Sequence, residues 1–198
     1  MKNNMRVYKK MKSLVLGLMM IGVLATVGFG QQIVGKAQTT NFNITEEMVI
    51  NAQKEWAESL LKISKAYLEK GDYKKVASEE IDKGYNYANG IVLFKPTLTT
   101  GEQTFRMDKE GALSYFIGGN PKYKDDTGFA LKGWVKYGIA NKGIILNGST
   151  AISMGNVIFT DKKGNVVVVD KTWGFKMNEL GELKIILHHS SLPYKPAK

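Results

Sequence analysis

The chain has 198 residues, no cysteine and a formal net charge of +10 at pH 7. Without cysteine it has no disulfides, no thiolate-bound zinc or iron–sulfur cluster, and no thiol nucleophile. Six of its 28 lysines and arginines, and none of its 18 acids, lie in the first 37 positions, which leaves 22 basic against 18 acidic residues and a formal charge of +4. That modest charge, with a single arginine beyond residue 37, argues against nucleic acid as a partner.

Residues 1–37 have the pattern of an export signal. The basic segment MKNNMRVYKKMK precedes the apolar run SLVLGLMMIGVLATVGFG, and small residues at Gly35 and Ala37 suit a signal peptidase. The apolar run just reaches membrane-spanning length, so an uncleaved N-terminal anchor is the alternative. We predict an export signal at 1–37, a linker at 38–43, one domain at 44–194 and a short tail at 195–198. The mature protein is expected in the periplasm or outside the cell, without a membrane attachment.

Two amphipathic helices are predicted at the start of the domain. The segment NITEEMVINAQKEWAESLLKISKAYLEKG has apolar residues at steps of three and four, the period of one helix face. These residues are Val49, Ala52, Trp56, Leu60, Ile63 and Tyr67. Asn43 or Thr45 is the expected N-cap, and Gly71 the expected end. Asp72 is expected to cap a second helix, YKKVASEEIDKGYNY.

Strand patterns dominate the rest of the chain. The segments GIVLFKPTLT and QTFRMD predict short strands, and DKEGALSYFIGG predicts a third short helix between Asp108 and Gly118. From Thr127 onwards, alternating apolar and polar residues predict long antiparallel strands with glycine bends. In GFALKGWVKYGIAN the predicted inward residues are Phe129, Leu131, Val135, Tyr137 and Ile139, against Trp134 on the other side. This order predicts an α+β fold, with N-terminal helices packed on a strongly curved, mostly antiparallel sheet that encloses a pocket.

Two segments carry a resemblance to a known family. GALSYFIGG resembles the short third helix, and HHSSLP resembles the last strand, of the association domain of calcium/calmodulin-dependent protein kinase type II. The matching positions in the second segment are His188, Ser190 and Pro193. Residues 44–194 therefore resemble the nuclear-transport-factor-2-like superfamily, the cystatin-like cone fold of ketosteroid isomerase and SnoaL-like proteins. The resemblance implies a homodimer or larger ring with a deep pocket in each subunit. The association domain's pocket is rich in arginine, however, and only Arg106 is available here.

His188 and His189 are the only histidines in the chain. Neighbouring side chains on a strand point to opposite faces, so the pair cannot easily chelate one metal, and no metal site is expected. Strict alternation places His189 in phase with Ile185 and Leu187. The family match nevertheless makes His188 the candidate pocket residue, with an imidazole that titrates near neutral pH. His189 is expected to bond a backbone group or to lie at a subunit interface.

Other candidate residues are less specific. Arg106 is either a surface cation or a planar fork that clamps a carboxylate. Asp126, with its neighbour Asp125, is either part of a solvated loop or a base whose pKa is raised by burial. Several aromatic residues either line a ligand cavity or belong to the core: Tyr115, Trp134, Tyr137 and Trp173.

No catalytic motif with a known mechanism occurs in the sequence. We therefore predict an exported, homo-oligomeric protein that binds a small ligand without a cofactor. Arg106 would hold an acidic group of this ligand, and His188 with Tyr115 or Tyr137 would donate hydrogen bonds. One alternative is a proton-transfer enzyme, an isomerase or dehydratase, with His188 or Asp126 as its base. The other is an oligomeric scaffold without a ligand.

Overall fold

The computed structural model of the protein describes residues 43–196. Three α-helices occur in this range: α1 (Glu46–Leu68), α2 (Tyr73–Gly84) and α3 (Lys109–Ile117). The five strands are β1 (Leu93–Lys95), β2 (Trp134–Asn147), β3 (Thr150–Asp161), β4 (Val166–Met177) and β5 (Leu183–Ser191). The predicted export signal lies outside the described residues, as does the linker up to residue 42. Within 43–196, no helix is both long and apolar enough to cross a membrane.

The five strands form one sheet in the order β1-β5-β4-β3-β2. Strands β2 to β5 form an antiparallel meander, whereas β1 runs parallel to β5. Register shifts interrupt the pairing in β2 and again between β4 and β5, and such bulges increase the local twist and bend of a sheet. The predicted α+β fold, with helices packed on a mostly antiparallel sheet, is confirmed.

Side-chain caps fix the start of each helix. The Thr45 hydroxyl accepts a hydrogen bond from the Met48 N–H at 3.3 Å, so Thr45 rather than Asn43 is the N-cap of α1. Asp72 caps α2 and Asp108 caps α3, as predicted. Each such cap typically contributes about 1 kcal/mol.

The core lies between α1 and the inner face of the sheet. The buried residues of α1 include Val49, Trp56, Leu60 and Ile63, and those of the sheet include Val157, Phe159, Val169, Trp173 and Phe175. Helix α3 adds Ala112, Tyr115 and Phe116. Any polar side chain that points inward from the sheet is therefore enclosed by aromatic and aliphatic groups.

Two predicted strands are wrong in detail. The segment QTFRMD forms no strand, and a single turn of 3-10 helix, Gly101–Gln103, ends at its first residue. Phe129–Leu131 is also a 3-10 turn, so β2 begins only at Trp134. Trp134 is buried and Val135 is exposed, the reverse of the predicted sides. A register shift in β2 between Trp134 and Lys136 changes the alternation there.

Candidate active site

A bulge in β5 sets the direction of His188. Gly174 pairs with Leu187 but Phe175 pairs with Ile185, so one residue of β5 has no partner on β4. The extra residue moves His188 to the inner face together with Ile185, and only 1 % of His188 is exposed. His189 points to the outer face. The two histidines therefore lie on opposite faces, as predicted, but strict alternation assigned the wrong one to the side of Ile185.

His188 is the centre of a buried hydrogen-bonded cluster, which we call the His188 network. Its members are Trp56, Tyr85, Lys171, His188 and Ser190. The Trp56 indole N–H donates to the Tyr85 hydroxyl at 2.9 Å, and that hydroxyl lies 2.7 Å from Nδ1 of His188. On the other side of the ring, Nε2 contacts Lys171 Nζ and lies 3.1 Å from Ser190 Oγ. Lys171 Nζ and Ser190 Oγ are 2.6 Å apart, so the three groups form a closed triangle.

Aromatic rings hold the imidazole in place. The Phe94 ring stacks on His188 with the ring centres 4.5 Å apart, and Tyr85 stacks with a separation of 5.9 Å. The edge of Trp56 approaches at 5.2 Å. Packing on several sides leaves His188 a single orientation, which is what a preorganised catalytic group needs.

The network contains a lysine with no acidic partner. Lys171 is 3 % exposed, and no carboxylate in residues 43–196 lies within ion-pair distance of its amine. Burial lowers the pKa of Lys171 well below its usual value. Burial, and then the neighbouring Lys171 and His189, lower the pKa of His188 in the same way, so His188 is neutral at neutral pH. Burial also raises the pKa of Tyr85.

Tyr115 on α3 presents a second polar group to the interior. Its ring packs edge-on against Phe94 at 5.8 Å and parallel to Phe129 at 5.6 Å. Its hydroxyl is buried and has no hydrogen-bond partner that meets normal geometry among residues 43–196, although the Thr97 side chain and the backbone of Thr97 and Leu98 lie beside it. Burial raises the pKa of Tyr115 to about 12. Since Phe94 contacts both Tyr115 and His188, the Tyr115 side chain and the His188 network flank the same ring.

A narrow cleft reaches Tyr115. It has a volume of about 20 Å³ and is lined by Leu98, Tyr115, Asp125, Asp126, Thr127, Phe129 and Lys132. A space of this size holds a water molecule or a similarly small guest. Sites for larger organic ligands usually measure about 300–1,000 Å³. In the described part of the chain, no three His, Cys, Asp or Glu side chains come together as metal ligands.

Arg106 and Asp126 do not belong to the His188 network. The Arg106 guanidinium donates to the Asp126 carboxylate at 2.8 Å, and only 3 % of each side chain is exposed. Arg106 also donates to the Gln103 carbonyl and lies 4.4 Å from the centre of the Tyr123 ring. The second carboxylate oxygen of Asp126 accepts from the Ser114 hydroxyl at 2.6 Å. The roles predicted for them, ligand clamp and free base, do not fit these contacts because each group already binds the other.

Two aromatic candidates also lie elsewhere. The Trp134 indole N–H donates to the Phe129 carbonyl at 2.7 Å, as a core residue does. The Tyr137 hydroxyl is on the other side of α1, where it donates to Glu58 at 2.9 Å. Of the predicted site residues, the structure therefore brings His188 and Tyr115 to the same buried region and leaves Trp134 and Tyr137 outside it.

Sequence reasoning missed Lys171, Tyr85 and the role of Ser190. Only Lys171 could have been recognised from the sequence. Lys171 is in phase with Val169 and Trp173 in VVVVDKTWGF, so the alternation that predicted β4 already placed a lysine on the inner face. A charged residue type at an inward position is uncommon and marks a candidate functional group.

The fold and its inward-facing polar cluster first identify the broad structural class of the protein. The chain has the nuclear-transport-factor-2-like fold, as predicted. A solved structure assigned as a calcium/calmodulin-dependent protein kinase II association domain, from Xanthomonas campestris, has a TM-score of 0.51 at 22 % identity, over 74 % of this chain and 87 % of that chain.

A narrower family then follows. The family model for metal-independent carbonic anhydrase matches residues 47–192, and the chain belongs to this family. A metal-independent carbonic anhydrase from Nostoc sp. is 44 % identical over 189 residues, which is 92 % of each chain. The crystal structure of an iota-carbonic anhydrase from a cyanobacterium, complexed with bicarbonate, is 48 % identical with a TM-score of 0.78. That match covers 81 % of this chain and 99 % of the other.

Family membership overturns the predicted function. The prediction of a ligand-binding protein of uncharacterised role is wrong, and so are its alternatives, an isomerase or dehydratase and a scaffold, because the relatives are carbonic anhydrases. The resemblance noted in the sequence reached the superfamily, whose shared cone fold hosts many chemistries. A fold does not determine the reaction that its site performs.

Proposed function

We propose that this protein is a metal-independent carbonic anhydrase, which interconverts carbon dioxide and water with bicarbonate and a proton. The family match at residues 47–192 includes the entire His188 network and Tyr115. A relative of 48 % identity has been crystallised with bicarbonate, the anion on one side of this reaction.

The Tyr115 hydroxyl is the observation that carries the proposal. When water adds to carbon dioxide, negative charge develops on the oxygens of the nascent bicarbonate. Hydrogen-bond donors fixed in a dry environment stabilise such charge, and loss of one donor typically costs about 10²- to 10³-fold in rate. The buried Tyr115 hydroxyl makes no hydrogen bond of normal geometry within residues 43–196, so it is a donor of this kind. We propose that the Ser190 hydroxyl of the His188 network, and Thr97 beside Tyr115, act as further donors to the same substrate.

The size and polarity of the interior support a very small substrate. The cleft of about 20 Å³ is far smaller than a site for an organic ligand, which favours a very small substrate. Leu98 and Phe129 give the cleft apolar walls, which suit uncharged carbon dioxide.

The test is carbon dioxide hydration followed by stopped flow with a pH indicator, on protein treated with a chelator. We expect catalysis by the wild type, and a loss of kcat/KM of about 10²-fold in Tyr115→Phe, which removes only the hydroxyl. Tyr137→Phe is the matched control, since its hydroxyl binds Glu58 on the far side of α1. A wild type no faster than the uncatalysed reaction would contradict the proposal.

We also propose that two copies associate through the outer face of the sheet. That face presents exposed apolar side chains in adjacent strands: Ile145, Ile152, Met154, Val166 and Val168. Exposed apolar side chains grouped on one face of a sheet often mark an interaction surface. Light scattering should give a dimer mass for the wild type and a monomer mass for Met154→Lys. A monomeric wild type would exclude the association.

Export remains a proposal that rests on residues 1–37. The basic segment, the apolar run and the small residues before Gln38 support removal of the signal at that point. N-terminal sequencing of protein recovered from the periplasm or the medium should begin at Gln38. Recovery of uncleaved protein from the membrane fraction would instead favour an N-terminal anchor.

A further inference from the structure

Within residues 43–196, the Lys171 amine has polar and aromatic neighbours but no carboxylate in contact with it. Its amine faces His188 and Ser190 from β5, and its cross-strand neighbour on β3 is Gly155. The adjacent acid, Asp170, is on the opposite face of β4 and accepts a hydrogen bond from Asn156.

Besides the Ser190 oxygen and an unprotonated Nε2 of His188, two indole rings can favour an ammonium here. The amine lies 4.1 Å from the Trp56 ring centre and 5.6 Å from that of Trp173. Such contacts are weaker than the cost of burying an ammonium that lacks a carboxylate. Tyr85, the remaining titratable group of the network, is connected to the Lys171 amine only through His188. Tyr85 is neutral because burial raises its pKa.

The hydrogen bonds of the network can all be made if Lys171 is an uncharged amine. The Tyr85 oxygen accepts from Trp56 and its proton goes to Nδ1 of His188, which leaves the imidazole proton on Nε2. That proton is accepted by the lone pair of the Lys171 amine. The amine then donates to Ser190 Oγ. Each N–H and O–H along this chain then has an acceptor, the second N–H of the amine faces the Trp56 ring, and the Ser190 hydroxyl proton is left free to point away from the network.

The hydrogen bonds of the network cannot all be made if Lys171 is an ammonium. An ammonium has three donors and no acceptor, so Nε2 of His188 must accept and Nδ1 must carry the proton. Nδ1 then donates to the Tyr85 oxygen, which already accepts from Trp56. The proton of Tyr85 is left buried without an acceptor among residues 43–196, an arrangement that proteins avoid.

We propose that Lys171, as an uncharged amine, is a positioning residue that directs the Ser190 hydroxyl proton toward the bound substrate. This inference rests on the carbonic anhydrase function proposed above. Donors along the chain from Trp56 through Tyr85, His188 and Lys171 to Ser190 all point one way. Aligned hydrogen bonds polarise one another, so the last donor is strengthened where the negative charge of bicarbonate develops. Lys171 acts through Ser190 and does not itself touch the substrate.

The first test measures the charge of Lys171 without any reference to activity. In protein labelled with ¹³C at the lysine ε-carbons, we expect one ε-resonance with the shift of an uncharged amine at pH 7. It should be absent in Lys171→Met and present in Lys176→Met, a matched control on the same strand with an exposed side chain. Spectra in which every lysine is an ammonium at pH 7 would overturn the inference, whatever the activity.

The second test asks whether Lys171 acts as a hydrogen-bond acceptor or as a cation. We expect Lys171→Met to lower kcat/KM on the order of 100-fold, and Lys171→Arg to give no rescue, because a guanidinium donates but does not accept. Since the chain has no cysteine, Lys171→Cys can be alkylated selectively with bromoethylamine in denaturant and refolded. The product has an amine at nearly the same reach, with a lower pKa because of the sulfur atom.

The alkylated variant gives the decisive pH profile. Activity should fall on acidification as the amine gains a proton, and alkylation should restore activity with this acid limb moved to lower pH. Rescue by Lys171→Arg, or an acid limb that does not move on alkylation, would overturn the inference. A neutral Lys171 in a protein that does not hydrate carbon dioxide would overturn the proposed function and, with it, the role assigned to Ser190.

Discussion

The buried pair of Arg106 and Asp126 offers a sharp test, because the sequence and the structure assign it different roles. The sequence suggested that Arg106 clamps an acidic ligand. In the structure the guanidinium binds Asp126 at 2.8 Å with both side chains 3 % exposed, and it stacks on Tyr123. We therefore expect Arg106→Met to destabilise the protein and not to weaken substrate binding in molecules that remain folded.

The magnitude follows from the burial of the pair. Removing one partner of a buried ion pair leaves the other charge without compensation and costs about 3–5 kcal/mol. For a domain of this size, roughly 2–4 °C of melting temperature is lost per kcal/mol, so Arg106→Met should lower Tm by roughly 6–20 °C. The double variant Arg106→Met/Asp126→Ala should be less destabilised than the sum of the two single variants, because no unpaired charge remains buried.

The assay combines thermal unfolding with kinetics at low temperature, where the variant is folded. Lys124→Met, which removes an exposed cation from the same loop, is the control and should leave Tm unchanged. The reasoning would be refuted if Arg106→Met kept the wild-type Tm but raised KM for bicarbonate by about tenfold, equivalent to about 1.4 kcal/mol of lost binding. That result would restore Arg106 as the ligand clamp.

Two further predictions concern packing and pH. In Gly155→Ala the new Cβ would clash with the Ala140 carbonyl oxygen, so we expect the free energy of unfolding to fall by about 1–3 kcal/mol or more. The control is Gly143→Ala, where no atom lies within 4 Å of the new Cβ. It should change the free energy of unfolding by less than about 1 kcal/mol. Urea unfolding compares the two, and equal stabilities would contradict the close contact. Burial lowers the pKa of His188. Below about pH 6.5 the unfolded chain therefore binds a proton that the folded chain does not. As the pH falls toward 5, the free energy of unfolding should decrease by up to about 1.4 kcal/mol per pH unit. His188→Gln should flatten that slope and His189→Gln should not; an unchanged slope in His188→Gln would show that His188 protonates freely when folded.

Local sequence signals predicted the three helices and the alternation of the long strands β3 and β4 well. The caps at Thr45, Asp72 and Asp108 are short-range hydrogen bonds, so the residue types and their spacing were sufficient to locate them. The alternation in β3 and β4 likewise follows from local chemistry, since every second residue faces the core.

The errors arose where the alternation is broken by a feature with no local signal. The bulge near Ile186 depends on how β5 pairs with β4, a contact between distant parts of the chain, and it decides which histidine faces inward. The register shift after Trp134 has the same origin and reversed the predicted sides of Trp134 and Val135.

The candidate site was only partly predictable for a similar reason. His188 came from the family resemblance, and Tyr115 from its aromatic character, but neither pointed to a cluster. The partnership of Tyr85 with His188 spans 103 residues and appears only in the fold. The pairing of Arg106 with Asp126 is also a tertiary contact, and it removed both from the set of free groups.

The central claim is that the interior hydroxyls and the His188 network catalyse the exchange of carbon dioxide with bicarbonate. The most direct measurement is ¹³C exchange spectroscopy of a carbon dioxide and bicarbonate mixture at chemical equilibrium, with chelator present and with wild type, Tyr115→Phe or Ser190→Ala added. Our account predicts exchange that rises in proportion to wild-type protein and drops by at least about 10²-fold in each variant. Exchange at the uncatalysed rate with wild type, or full exchange with both variants, would contradict it.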